Sequence, residues 1–536
     1  MVKSNRPLIM GDNGAVATNH PQATSVGLDV LRAGGNAIDA SVAVSLALGV
    51  VEPAMSGLGG DGFYHVWLAN SAKTFVYNGT GTAPKAALKG EIFSRGIPVF
   101  GPHSVSIPGM VGGLGAMHKD HGSKSWHSLC NPAAYLAGDG FFVTHAYRSF
   151  AQKASEKIQS NETSQKIFID KSAPPDLGTK IKQPKLCQTL TQLGDEGPDG
   201  FYRGNLANKI VKDGRVAGLL LSNSDFAEFY HEVQDSIAIT YRDFEIFQTP
   251  PNSTGFVMLQ ELKILENFDI SKMSFNDPEL IHLMVEAKKY AFLDRERYGG
   301  DPRLIEVPIN HILSNAHTSN LAGKIDLERA ARIPLLLDAQ SAKETSYFSV
   351  VDKDGNAVSA IQSINSPFGS GVTGADTGVL FNNRMAYWHL ETGHPNSLKS
   401  GKRVRHTMNA PIVIRDGKLW AVFGTPGADN QVQINFQVAV ALIDYGLDPQ
   451  QAVEATRWTS SQPNQGANWP HDGDYSLTIE SGLPTKCISK LRRLGHEVEI
   501  VPPLEGPCSV ACIRLLSNNT LMAGSDPRRD GWAGAF

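Results

Sequence analysis

Glu344-Thr345-Ser346-Tyr347-Phe348-Ser349-Val350-Val351-Asp352-Lys353-Asp354-Gly355 places a small hydroxyl residue, Thr345, at the head of a run that reads as a buried strand. The run is short, aromatic and β-branched, and a polar turn closes it. Ahead of it, Asp338-Ala339-Gln340-Ser341-Ala342-Lys343-Glu344 has no hydrophobic periodicity and reads as a loop. A loop that delivers a threonine to a strand start is the arrangement self-cleavage requires. The loop must reach a strained turn, and the strand must then hold the new terminus rigidly. Threonine at a strand start is common, so the weight falls on what surrounds it.

Asp354-Gly355 is a hairpin signal joining Tyr347–Val351 to a second strand, Ala357–Ile364. Ala410–Arg415 and Leu419–Phe423 form another hairpin around Asp416-Gly417, followed by helical patterns at Gln431–Tyr445 and Pro449–Thr456. Towards the N-terminus, Ala23–Leu31 and Ala37–Val51 have helical spacing, broken by Gly34-Gly35. The second is apolar around its whole circumference and belongs between two layers. Phe63–Leu68 and Thr74–Tyr77 read as paired strands, and roughly 125–330 as mainly helical. Within that middle, Asp277–Asp294 is an amphipathic helix with Asp277 as N-cap and Pro278 at its first position. Strand pairs with helices stacked outside them give an α+β fold, a four-layer αββα sandwich.

With 536 residues, 41% hydrophobic and 19% charged, the composition is that of an ordinary globular protein. A formal net charge of -4 leaves no electrostatic footprint for nucleic acid or an anionic membrane. Cys130, Cys187, Cys487, Cys508 and Cys512 are few, odd in number and scattered, which argues against a disulfide framework. Cys508 and Cys512 lack partners at metal spacing and read as buried small residues, so neither metal nor cofactor is expected. Met1–Pro7 lacks the apolar region of a secretory signal, and the apolar run Ala40–Val51 is too short to cross a bilayer. The expectation is a soluble, cytoplasmic protein.

Gly57-Leu58-Gly59-Gly60-Asp61-Gly62 and Gly369-Ser370-Gly371-Val372-Thr373-Gly374 both match G-x-G-x-x-G. A dinucleotide fingerprint needs a strand before and a helix after. The first motif has the reverse order and the second leads into the strand-like run Gly378–Phe381, so both are excluded. The G-x-S-x-G elbow, the P-loop and H-E-x-x-H are missing from the sequence. Gly424-Thr425-Pro426-Gly427-Ala428-Asp429-Asn430 lies between a strand and a helix, where backbone N–H groups and the helix N-terminus suit an oxyanion. A tight connecting turn is the plainer reading of the same residues. His406-Thr407, just before Asn409-Ala410-Pro411, reads as a substrate-facing polar pair or as a capping group.

Together these pieces resemble the γ-glutamyltranspeptidase family of N-terminal-nucleophile hydrolases, nearly end to end. The resemblance runs through Ala15–Thr18, Leu31–Ala40, Ser56–Phe63, Thr345–Asp352, Gly424–Gly427 and Ser525–Arg528, in the family's order. It implies that Thr345 Oγ attacks the Glu344 carbonyl, and that the resulting ester hydrolyses. The products would be a large subunit, 1–344, and a small catalytic subunit, 345–536, intertwined in one αββα domain. The freed α-amino group of Thr345, with a reference pKa of about 7.7–8.0, would then serve as base for its own hydroxyl. Ser363 matches a hydroxyl that holds the nucleophile, Asn365 a substrate-contacting amide, and Gly427 and Ala428 the oxyanion pair.

The departures from the family pattern concern the substrate. Glutathione-cleaving members carry an Arg in the strand-turn after the glycine motif, which binds the substrate α-carboxylate. Here that turn reads Asn78-Gly79-Thr80-Gly81-Thr82-Ala83-Pro84, without Arg. The family's acid and amide for the α-amino group fall on Tyr387 and Arg384, and two serines become His406-Thr407. The connector from Asn382-Asn383 to the next strand is short, implying a reduced lid. Arg384, with Arg403 or Arg405 as alternatives, is then available for a plain carboxylate, as in the branch resembling dicarboxylic acylases and oxamate amidohydrolase. The implied activity is hydrolysis of a small amide whose acyl group ends in a carboxylate. A genuine γ-glutamyl hydrolase or transpeptidase acting on glutathione, and an inactive unprocessed scaffold, are the alternatives. The expected partners are the small-molecule amide and the two fragments of one precursor.

Overall fold

The structure, a computed structural model, describes residues 4–88, 92–170, 172–335 and 345–536. Two seven-stranded sheets form its centre. In space, the first runs Trp532–Ala535, Gly14–Thr18, Ser346–Asp352, Ala357–Ser363, Asp61–Leu68, Lys73–Gly79, Glu232–Gln234. The second runs Ile9–Gly11, Leu521–Ser525, Ala511–Leu515, Lys418–Gly424, Ile412–Arg415, Phe244–Gln248, Ile237–Tyr241. All neighbouring strands within both sheets are antiparallel. Segments from before and after Thr345 both contribute strands to each sheet, so neither segment closes a sheet by itself.

Three apolar cores separate the four layers. Phe348, Val350, Val358, Ala360, Tyr64 and Val66 face a helical layer that includes Pro21–Arg32, Ala37–Val51, Met110–His121 and Trp126–Asp139. Tyr347, Val351, Ile361, Phe63 and Trp67 face the other way, against Met408, Ile412, Ile414, Val422 and Ile513 from the second sheet. Ile246, Val413, Ala421 and Phe423 then face an outer layer containing Gly255–Leu265, Pro278–Tyr298 and Asn430–Ile443. Alternate residues of one strand thus fill different cores, as a pleat of period two requires. The αββα expectation is the observed architecture.

Local signals set the elements. Ala37–Val51 is buried along its whole length, and a capping box between Asn36 and Asp39 fixes its start, worth about 1 kcal/mol. Pro278–Tyr298 begins after Asp277 as expected, and runs four residues beyond the sequence reading to Gly299. Asp277 does not donate or accept a side-chain cap there; its carboxylate takes the Ser274 amide at 2.7 Å instead. Gly355 and the pair Asp416-Gly417 adopt the positive φ that both hairpin turns need.

One expectation requires correction. Gly378–Phe381 makes only isolated bridges, Thr373 to Leu380 and Gly59 to Phe381, because it threads between loops rather than alongside a strand. The middle of the chain is mainly helical as expected, with three strands among the helices: Glu232–Gln234 edges the first sheet, and the hairpin Ile237–Tyr241 with Phe244–Gln248 edges the second. These strands expose alternate residues, which hides them in a polar stretch. All five cysteines are free. Among the described residues, no helix is long and apolar enough to cross a membrane.

Candidate active site

The site grows out of strand register. Ser346 pairs with Gln362 and Tyr347 with Ile361, so the same register carried one residue further puts Thr345 across from Ser363. Ser363 in turn pairs with Asp61, and Gly62 with Gly79, which sets Asp61 beside the turn at Thr80. Opposed residues of an antiparallel ladder point to the same face. The alternation that sends Tyr347, Ile361 and Phe63 into the core between the sheets therefore puts Thr345, Ser363 and Asp61 at the end of that space. From the second sheet, Met408, Ala410, Ile412 and Ile414 line the same space, and His406 stands one alternation before them.

Thr345 is 2% exposed. Its Oγ1 accepts a hydrogen bond from Gln431 Nε2 at 3.0 Å. Gln431 belongs to Asn430–Ile443, and its backbone N–H donates to Ala428 O at 3.0 Å, so one residue contacts both the hydroxyl and the Gly427-Ala428 turn. Ser363 Oγ accepts the Asn365 amide at 2.8 Å. The proposed cleavage-site residue Glu344 lies outside the described residues. Gly427 and Ala428 both have positive φ, 127° and 47°. A Cβ at Gly427 would stand 2.2 Å from Cys508 Sγ, so only glycine fits. Ala428 holds a left-handed conformation at a cost of about 1–2 kcal/mol. Next to it, the Asp429 carboxylate is paired with Arg295; burial raises its pKa, against the opposing pull of Arg295 and Arg405.

The neighbouring pocket holds the rest of the expected residues. Asn365 Nδ2 donates to Asn383 O at 3.1 Å and Asn468 Oδ1 at 2.8 Å, while its own Oδ1 is buried without a partner. Tyr387 Oη and Thr407 Oγ1 are 3.1 Å apart, and the Arg384 guanidinium lies 4.6 Å from the Tyr387 ring. His406 packs edge-on to Phe63 and is fully buried. Burial, followed by the charges of Arg384 and Arg403, holds its imidazole pKa well below the usual range, so it is neutral.

The three arginines considered for a carboxylate differ. Arg403 reaches the turn that lacks its own Arg, but its Nη groups already donate to Thr80 O at 2.7 Å, Asn78 Oδ1 at 3.1 Å and Tyr230 O at 2.7 Å. Arg405 is paired with Glu296 at 3.2 Å and donates to Arg295 O. Arg384 is 1% exposed, and neither its Nε nor its Nη2 is hydrogen-bonded among the described residues. Sequence reasoning passed over Asp61, Gln431 and Asn468. Asp61 lies within the Gly57–Gly62 motif, and only a register argument from its place at a strand start next to Ser363 singles it out. Gln431 and Asn468 carried no signal in the sequence.

The glycine motif itself serves backbone approach. A Cβ at Gly60 would stand 2.5 Å from Ser363 O, so this loop can pass behind Ser363 only as glycine.

Comparison with known proteins fits this geometry. Residues 23–536 match the family described as gamma-glutamyltranspeptidase. The chain belongs to that family. It is 34% identical to the glutathione hydrolase-like YwrD proenzyme of Bacillus subtilis (strain 168), over 98% of this chain and 99% of that protein. It is 32% identical to the glutathione hydrolase proenzyme of Escherichia coli (strain K12), over 97% and 91%. Among solved structures, cephalosporin acylase from Bacillus halodurans superposes with a TM-score of 0.90 at 30% identity, covering 100% of this chain and 98% of the other. The chain is therefore a γ-glutamyltranspeptidase-family hydrolase with both acylase and glutathione hydrolase relatives.

Proposed function

We propose that this family member is an autoprocessed amidohydrolase acting on small amides whose acyl group ends in a carboxylate. Self-cleavage begins with Thr345 Oγ attacking the Glu344 carbonyl. The Glu344–Thr345 C–N bond breaks, the acyl group moves to oxygen, and water hydrolyses the ester. That step leaves a Glu344 carboxylate, a free Thr345 hydroxyl and a free α-amino group. The relatives named as proenzymes support this precursor reading, with subunits 1–344 and 345–536.

In turnover the α-amino group takes the Oγ proton as Oγ bonds to the substrate carbonyl carbon. The backbone N–H groups of Gly427 and Ala428 receive the developing oxyanion. The proton passes to the leaving amine as the C–N bond breaks, and water then releases the acyl group as an acid. Gln431 and Ser363 position the hydroxyl. Asn365, Tyr387, His406 and Thr407 line the acyl pocket.

The observation that carries the acyl specificity is Arg384. Its Nε and Nη2 form the fork edge that matches a carboxylate bidentately, and both are buried without a hydrogen bond among the described residues. A γ-glutamyl substrate is the second reading, favoured by the anionic Asp61 Oδ2 at 3.5 Å from Arg384 Nε. Steady-state kinetics on glutaryl-anilide and γ-glutamyl-anilide test the choice. A higher kcat/KM for the glutaryl compound is expected; a clear preference for the γ-glutamyl compound contradicts the plain-carboxylate reading.

A further inference from the structure

Asp61 sits in an arrangement the catalytic scheme does not use. Its Oδ1 accepts the Gly81 amide at 3.0 Å. Its Oδ2 lies 3.5 Å from Arg384 Nε and 3.6 Å from His406 Nε2, and hydrogen-bonds to neither among the described residues. Arg384 Nε and Nη2 and both His406 ring nitrogens are likewise without partners. Asp61 and His406 are 0% exposed. Asp61 and Arg384 thus form a long ion pair with His406 beside it, all three buried, at a spacing that leaves these facing atoms without a hydrogen bond among the described residues. Unpaired buried polar atoms are costly, which marks the place as one completed by a ligand.

The ligand chemistry follows from the Arg384 fork, which fits a carboxylate. A carboxylate docked there stands next to the Asp61 oxygen on the same Nε. Two buried carboxylates sharing one site cannot both stay ionised, and the pKa of one is driven up. The cations facing Asp61 are Arg384 and the more distant Arg403; the others around it are neutral His406 and the phenols Tyr64 and Tyr202.

Resting on the carboxylate-ended substrate class above, we propose that Asp61 is a specificity-determining residue: it counter-charges Arg384 in the empty pocket and takes up one proton when the substrate carboxylate binds. Burial already pushes the Asp61 carboxyl up to about 6, against the lowering effects of Arg384, the Gly81 amide, Arg403 and the Gly109 amide. Below that value the pocket is protonated and receptive. Above it, each binding event draws a proton from solvent, and affinity for an anionic acyl end falls with rising pH. A γ-glutamyl end brings its own ammonium to Asp61 and needs no proton.

The test is KM against pH, from about pH 5 to about pH 8, for glutaryl-anilide and γ-glutamyl-anilide on the mature enzyme and on Asp61→Asn. The glutaryl KM should be flat below about 6 and climb roughly tenfold per pH unit above it, while the γ-glutamyl KM does not follow. In Asp61→Asn the glutaryl KM should lose this climb. Calorimetry of glutarate binding to the wild type, in two buffers of different ionisation enthalpy at about pH 7.5, should show about one proton taken up. This measurement decides the matter even where the variant folds poorly. Glutaryl turnover with a pH-independent KM and no proton uptake overturns the Asp61 proposal and leaves the substrate reading standing. Absence of glutaryl turnover and glutarate binding, with γ-glutamyl-anilide still cleaved, overturns both.

Discussion

The end of the inter-sheet space contains two regions with opposite habits. Around the proposed nucleophile, Thr345 Oγ1, Ser363 Oγ and Gln431 all have partners drawn from the fold. Next to it, Asp61 Oδ2, Arg384 Nε and Nη2 and both His406 nitrogens have no hydrogen bond among the described residues, and Asp61 and Arg384 make only a 3.5 Å ion pair. Buried polar atoms normally find partners. The first region is complete as folded, so it fits a reaction common to a family. On the proposal above, the second is completed by a ligand, and Arg384 and His406 in it are positions where the sequence reading departs from the family resemblance. On this proposal, chemistry rests on register and turn geometry, and specificity on the pocket around Arg384.

That contrast predicts unequal effects of mutation. Gly427→Ala should be the most severe of the pocket and turn variants, because its Cβ meets Cys508 Sγ at 2.2 Å and must displace the oxyanion turn. A loss of one oxyanion donor lowers kcat by roughly 10²–10³-fold, and kcat on either anilide would measure it. A normal kcat would show that this turn is only a connection. Arg384→Met should raise KM for glutaryl-anilide with little change in kcat. Losing a buried charged hydrogen bond costs about 2–5 kcal/mol, on the order of 30-fold or more in kcat/KM. An equal fall for an acetyl-anilide would show that Arg384 supports the fold instead. Gln431→Leu removes one neutral donor from Thr345 Oγ1, worth about 0.5–1.5 kcal/mol, so kcat should fall only about 3- to 10-fold. A larger loss would mean that Gln431 takes part in the reaction itself.

The same division governs what the sequence reveals. The strand Ser346–Asp352, its hairpin partner Ala357–Ser363 and the helix Asn430–Ile443 were legible within one or two residues, because turn glycines and apolar runs bound them. Thr345 stands out at the head of its strand, whereas Ser363 and the oxyanion role of Gly427 enter only through the family resemblance. Gly14–Thr18 is buried on both faces and short, so it has no alternation to read as a strand. Asp61 was hidden because its significance depends on pairing with Ser363 across a ladder. Gln431 and Asn468 reach the site only through tertiary packing. Likewise, Arg384, Arg403 and Arg405 are equivalent as letters, and only their partners separate them.

The central claim is that Thr345 is the nucleophile released by cleavage after Glu344. Intact mass with N-terminal sequencing of the purified wild type and of Thr345→Ala, each assayed on both anilides, tests it most directly. The account predicts two wild-type fragments, the smaller beginning at Thr345, and a single inert chain of the full 57.8 kDa, less the small mass change of the substitution, for the variant. An uncut wild-type chain, or a Thr345→Ala variant that still cleaves itself and turns over substrate, would contradict it.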